Sequence, residues 1–208
     1  MKRLPIIFVV LSLPLYLLDQ VTKWWVVFRF REPLSGDFHT PDEHVEVIEG
    51  FLWWWRIHNQ GAAFGLGNGT SWAPFVFLLV LIFALVLIFV FWRKGAFANI
   101  PAKLAAALLV AGVLGNLTDR LFQGFWLEKH KEKSLVTRLS KGYVVDFIRV
   151  KLPGYEKIAP QSRGFFPTFN VADSCISVAA VLLFLSAFRP EESEREKEVL
   201  SEKRGNHA

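Results

Sequence analysis

The stretch "WAPFVFLLVLIFALVLIFVFW", residues 72–92, decides the class of fold: its twenty-one residues carry neither a charge nor a polar stripe. Wound as an α-helix at 1.5 Å per residue, it reaches about 30 Å, the thickness of a bilayer's hydrocarbon core. A helix of that length in a water-soluble domain would turn a polar face to solvent, and this one has none to turn. The rest of the chain agrees. Of its 208 residues 52% are hydrophobic and 15% aromatic, with a mean hydropathy of +0.32. The apolar residues gather in blocks rather than recurring with a surface period.

Three more blocks read as spans. "MKRLPIIFVVLSLPLYLLDQ" starts basic and turns apolar, as a secretory signal does, yet no small-x-small cleavage site follows and the apolar character resumes at "WWVVF". Residues 4–28 are therefore expected to be a retained first span. The second span is 72–92. The third, "IPAKLAAALLVAGVLGNLTDRLF" (100–122), is rich in Ala and Gly, which suits a helix packed among other helices. The fourth is 170–188. The expected fold is an all-α membrane bundle of four transmembrane helices over residues 1–188, followed by a polar cytoplasmic tail, 189–208.

Lys2, Arg3, Arg93, Lys94 and Lys103 flank the short segments beside these spans, so both termini are expected on the cytoplasmic side. That leaves 29–71 and 123–169 outside. The second of these holds Lys129, Lys131, Lys133, Arg138, Lys141, Arg149, Lys151, Lys157 and Arg163, which runs against the charge rule, though loop length weakens it. Trp24, Trp25 and Trp72 fall near one interface and Trp92 near the other. Within the first outer loop, "HVEVIEGFLWWWRIHN" alternates and turns at Glu49–Gly50, the pattern of a β-hairpin. "YVVDFIRVKL" is also strand-like. A small extracytoplasmic β platform is expected, with Trp53, Trp54 and Trp55 resting on the outer leaflet.

The formal net charge of +5 comes from dispersed loop and tail residues, without a basic helix or aromatic–basic interleaving, so no nucleic-acid partner is expected. Cys175 is the single cysteine and reads as a small buried thiol. The five His are scattered, so no metal or other cofactor is expected. No internal repeat supports an inverted-repeat transporter.

Polar groups stand where a membrane makes them expensive, about 2.5–3.5 kcal/mol for a charge near the bilayer centre. Asp19 and Lys23 are four apart and share a helix face. Asn116, Asp119 and Arg120 share another. Asn170 and Asp173 open the fourth span, where a cap and a first-turn carboxylate would suit the helix without any chemistry. Asn59 precedes the second span. Asp119 with Arg120, and Asp19 with Lys23, read as structural pairs. Asp146, amid Val and Phe, is different: its nearest cation in sequence is Arg149, on the opposite strand face. Two carboxylates without local partners at one membrane edge suggest a dyad. If Asp146 and Asp173 meet, both cannot ionise easily, and the pair can hold one proton and activate water.

"DQVTK" (19–23), "NQGAAFG" (59–65), "AGVLGNLTDR" (111–120), "YVVDFI" (143–148) and "FNVADSCI" (169–176) occur in the order found in lipoprotein signal peptidases, the signal peptidase II family, which the chain resembles over most of its length. The resemblance implies a bacterial inner-membrane aspartic peptidase. It would cut the signal peptide from a diacylglyceryl-modified prolipoprotein just before the lipidated cysteine, near the periplasmic face, and would work as a monomer among membrane lipid. It carries catalysis onto Asp146 and Asp173. It carries support or substrate binding onto Asp19, Lys23, Asn59, Gly61, Asn116, Asp119, Arg120 and Asn170. Segments 29–58, 121–143 and 149–165 are longer than the family's usual links. Two other readings stand beside this one. A proton-coupled carrier could use Asp19, Asp119 and Asp173 as a relay, and a membrane scaffold would need no unpaired Asp146.

Overall fold

The computed structural model describes residues 6–33, 43–61, 66–127 and 131–188. The tail 189–208 and residues 1–5 lie outside them. A π-helical turn, Phe8–Ser12, leads into α1, Leu13–Arg29. Then come β1 (His44–Ile48), β2 (Leu52–Asn59), α2 (Ala73–Arg93) and α3 (Ile100–Phe122). The short α4 (Leu135–Leu139), β3 (Val144–Val150), α5 (Tyr155–Ile158) and finally α6 (Val171–Ser186) complete the chain. The protein is mostly helical with one small sheet.

Two of the helices, α2 and α3, are long and apolar enough by themselves to cross a bilayer; α6 is apolar but shorter, and α1 carries charge. They play different parts. Most of α2 faces outward with hydrocarbon side chains such as Leu79, Phe83 and Phe89 exposed, as lipid allows and water does not, while Ala73, Pro74 and Ile88 are buried. α3 sits at the centre and packs against α1, α2 and, most extensively, α6. Its buried face is made of Ala102, Ala105, Ala106, Ala107 and Ala111, small residues that let backbones close in. Gly112 and Gly115 carry the approach to its limit. A Cβ on Gly112 would stand 2.5 Å from the Ala172 carbonyl oxygen, and one on Gly115 2.5 Å from the Asp19 carboxylate. Asn99 caps α3 by accepting from the Ala102 N–H (3.0 Å) and donates to the Ser186 carbonyl (3.2 Å), fastening the start of α3 to the end of α6.

The sheet is antiparallel in the order β1-β2-β3. β1 and β2 form the hairpin expected at Glu49–Gly50, with Gly50 at φ +66° in the left-handed region. β3 joins β2 across a bulge between Trp54 and Ile57. The three tryptophans each have protein partners: Trp53 packs on Phe165 (5.2 Å), Trp54 on Trp25 (5.2 Å), and Trp55 lies under the Arg149 guanidinium (3.8 Å). Val26 from α1 and Phe30 just past its end, with Leu127, Tyr143, Val145 and Phe147, make the apolar seam that docks the sheet on the bundle. β3 is thereby held beside α1, α3 and the start of α6.

Gly112→Ala is expected to destabilise the bundle by about 1–3 kcal/mol, the usual size of overpacking, because the obstructing atoms belong to the α6 backbone and to Ile176. Thermal unfolding in detergent reads this directly. An unchanged midpoint would show that α3 and α6 are not in the contact described.

Candidate active site

At the level where the sheet meets the bundle, the polar residues of four elements converge. Lys23, fully buried on α1, gives its three donors to three acceptors: Asp19 Oδ2 (2.9 Å), Asp119 Oδ2 (3.1 Å) and Asn116 Oδ1 (2.9 Å). An ammonium has no more to give, so it is satisfied. The carboxylates then tie in the surroundings. Asp19 Oδ1 accepts from the Ala172 N–H at 2.8 Å, in the first turn of α6 where backbone donors are unpaired. Asp119 Oδ2 accepts from the Val145 N–H of β3 at 3.0 Å. Gln20 spans both acids, donating to Asp19 Oδ2 (3.1 Å) and Asp119 Oδ1 (3.3 Å).

This corrects one pairing read from the sequence. Asp119 takes its cation from Lys23 on another helix, not from the adjacent Arg120. Neighbours in a helix point away from each other. Arg120 instead donates to the Gln60 carbonyl (3.0 Å) and to the Gly61 carbonyl, and lies over the Phe77 ring (5.3 Å). It clamps the segment that presents Asn59. Gly61 completes that clamp: a Cβ there would strike the Leu66 carbonyl oxygen.

The Lys23 ammonium also fixes an orientation. With Asn116 Oδ1 committed to Lys23, Asn116 Nδ2 points to Asp173 Oδ1, 2.8 Å away. Asn59 is aimed the same way: its Oδ1 accepts from the Gly61 N–H (3.0 Å), and its Nδ2 donates to Asp146 Oδ2 (2.9 Å). Asn170 joins the two acids. As N-cap of α6 it accepts from the Asp173 N–H (2.9 Å) and its own N–H donates to Asp173 Oδ2 (3.2 Å), a complete capping box. Its Nδ2 donates to Asp146 Oδ1 at 2.7 Å. The cap reading of Asn170 and the dyad reading are thus one arrangement.

Asp146 is buried, and no ion pair reaches it among the described residues. Burial, and then the charge of neighbouring Asp173, push its carboxyl well above the ordinary carboxylate range, against the opposing pull of the Asn59 and Asn170 amides and of Lys23. The fold prefers its protonated form. Its contribution to stability is intact below the ordinary carboxylate range and is lost as pH rises through the raised pKa. Asp146 and Asp173 both line a cavity of about 1160 Å³, with Asn59 and Asn68 beside them. A carboxyl pair that holds a proton between two amide-anchored positions, on the wall of an open cavity, can act as acid and base on a water molecule.

Sequence reading overlooked Gln20, although it lies inside the quoted "DQVTK" block, because an uncharged residue next to Asp19 gives no pairing signal. Asn68 was overlooked too; it accepts from the Gly61 N–H (2.7 Å) out of a turn with no periodicity to mark it.

Comparison with known proteins converges on one group. The family model described as "Signal peptidase (SPase) II" matches residues 11–189. A lipoprotein signal peptidase of Syntrophomonas wolfei is 34% identical over 81% of this chain and 84% of its own length. One from Pseudomonas putida is 32% identical over 88% of each, and one from Staphylococcus aureus 31% identical over 87% of each. A solved bacterial membrane enzyme, determined by the in meso method at 2.3 Å, superposes with a TM-score of 0.63 at 27% identity, covering 86% of both chains. A second, at 1.9 Å, gives 0.60 at 27% identity, covering 88% of this chain and 92% of its own.

Removing the shared cation should harm folding more than removing one of its acids. Lys23→Met strands two facing carboxylates, and breaking such a buried pair costs about 3–5 kcal/mol. Asp119→Asn leaves the Lys23–Asp19 bridge in place, so its loss of folded protein should be smaller. Folded yield and melting midpoint of the two variants give the ranking; a Lys23→Met protein that melts with the wild type would contradict it.

Proposed function

The chain belongs to the signal peptidase II family, a family of membrane peptidases, and on that premise we propose that it is an aspartic endopeptidase of bacterial prolipoproteins. The observation that carries the reading is Asn170: its side-chain Nδ2 donates to the Asp146 carboxyl and its backbone N–H to the Asp173 carboxyl, while its Oδ1 accepts from the Asp173 N–H, so one buried residue holds both acids at a cavity wall. The ionised member takes a proton from water as the oxygen attacks the scissile carbonyl, and the protonated member donates to that carbonyl oxygen. Collapse of the tetrahedral diol returns a proton to the departing nitrogen. The products are a signal peptide with a new carboxylate and a mature chain with a free amine on its lipidated cysteine. Asp19, Lys23, Asn116, Asp119 and Arg120 position the acids and touch no reacting atom.

The setting supports the same reading. In the proposed topology α1, α2, α3 and α6 span the bacterial inner membrane, with both termini cytoplasmic and the sheet on the periplasmic side. The protein acts as a monomer. The signal helix of the substrate lies in the membrane and its acyl chains in the outer leaflet, so the bond to be cut arrives where the acids are. A proton-carrier reading has less behind it. On the far side of Asp19, the contact between α1, α3 and α6 is closed by Ala105, Ala106, Ala107 and Ala179, all fully buried, and no polar relay continues there among the described residues.

Asp146→Asn and Asp173→Asn are each expected to fold and insert yet lose cleavage of a lipid-modified precursor by several orders of magnitude, with activity of the wild type indifferent to chelator. Cleavage at the normal rate by either variant refutes the dyad. The pH profile offers an independent check. Activity should fall at low pH, where both acids are protonated, and fall again as pH rises through the raised pKa of Asp146, where the shared proton is gone.

A further inference from the structure

The cavity that holds the two acids extends in two directions of unlike chemistry. Along α6 it is walled by Ile176, Ser177 and Val178, one to two turns into an apolar helix. Past the acids it is walled by the segment linking β3 to α6, which contributes Tyr155, Gln161 and Arg163 alongside Phe165, Phe166 and Phe169, and by Arg149 at the end of β3, so that polar groups stand there among aromatic rings. This is the long link between the two acidic blocks. On the peptidase reading, the wall along α6 suits the signal helix and the wall that carries Arg149 and Arg163 suits the mature chain.

Arg149 stands out on that second wall. Its guanidinium lies between the rings of Trp55 (3.8 Å) and Phe165 (4.0 Å), and Trp53 packs on the far ring, so three aromatic residues hold it in place. Rings satisfy the faces of a guanidinium but not its N–H edges. Among the described residues no carboxylate pairs with Arg149. Partial burial lowers it only to about 10, so it is cationic at neutral pH. Arg163 adds a second cation on the same wall, in an exposed turn at φ +53°. Apart from Asp146 and Asp173 themselves, the cavity wall has no acidic residue among the described residues.

Resting on the peptidase reading, we infer that Arg149, ring-clamped on the polar wall and assisted by Arg163, is a specificity-determining residue that receives an acidic side chain of the mature chain just after the lipidated cysteine. A fixed guanidinium offers a carboxylate two parallel N–H donors, where a mobile lysine would offer a point charge. The long link between the acidic blocks is then a built subsite rather than a spacer.

The test uses the full-length protein in detergent–lipid micelles and three lipid-modified precursors identical except for Asp, Asn or Lys at the second mature position. The wild type should favour Asp over Asn by about ten-fold in kcat/KM, mainly through KM, and disfavour Lys. In Arg149→Gln the ratio should collapse toward one, in Arg149→Lys it should shrink partway, and Arg163→Gln should reduce it modestly. The ratio is measured within one preparation, so partly unfolded enzyme cancels from it. No preference in the wild type, or a preference that survives Arg149→Gln, overturns the inference. Failure of the wild type to cut any of the three precursors would instead sink the peptidase reading and this inference with it, an outcome distinct from a flat ratio among precursors that are cut.

Discussion

A single buried ammonium organises this molecule. Lys23 has exhausted its donors on Asp19, Asp119 and Asn116, and each acceptor hands the constraint on: Asp19 to the first turn of α6, Asp119 to the backbone of β3, Asn116 to Asp173. Two carboxylates around one cation leave an excess negative charge, spread over the N–H groups of Gln20, Val145 and Ala172. Buried ionic clusters of this kind contribute little net stability compared with apolar packing, since desolvation offsets most of the attraction. What they supply is uniqueness. Only one registry of α1, α3, β3 and α6 satisfies all of these groups.

The acids that face the cavity are held differently. Asp146 and Asp173 receive neutral amide donors from Asn59, Asn116 and Asn170 rather than a direct cation. An amide orients a carboxyl without binding its charge as strongly as a salt bridge does, so the proton remains exchangeable. The contrast with Asp19 and Asp119, which are pinned by Lys23, separates two roles among four acids of one small cluster.

Much of this was legible beforehand, for identifiable reasons. Residues 72–92 had only one way to satisfy their backbone in lipid, and Glu49–Gly50 set the hairpin through a backbone shape that glycine adopts freely. Asp146 was marked because its nearest cation in sequence, Arg149, alternates onto the other strand face. The sequence was silent where contacts join distant segments. Spacing along one helix linked Asp119 to Arg120, but the partner that fits is Lys23, brought in by helix packing at Gly115. The clamp on Arg149 needs Trp55, on β2, and Phe165, from the long link, and neither strand pattern nor charge count brings them together. The protein partners of the tryptophan run, Trp25, Phe165 and Arg149, were hidden for the same reason.

The double duty of Asn170 has a consequence for how such an enzyme could evade a drug. Its side chain starts α6 by accepting from the Asp173 N–H and at the same time holds the Asp146 carboxyl, while its backbone N–H holds that of Asp173. An inhibitor drawing its hydrogen bonds from this amide would confront a residue that cannot be exchanged without fraying a helix. Resistance would have to come from the rim, whose side chains start no helix, rather than from the centre.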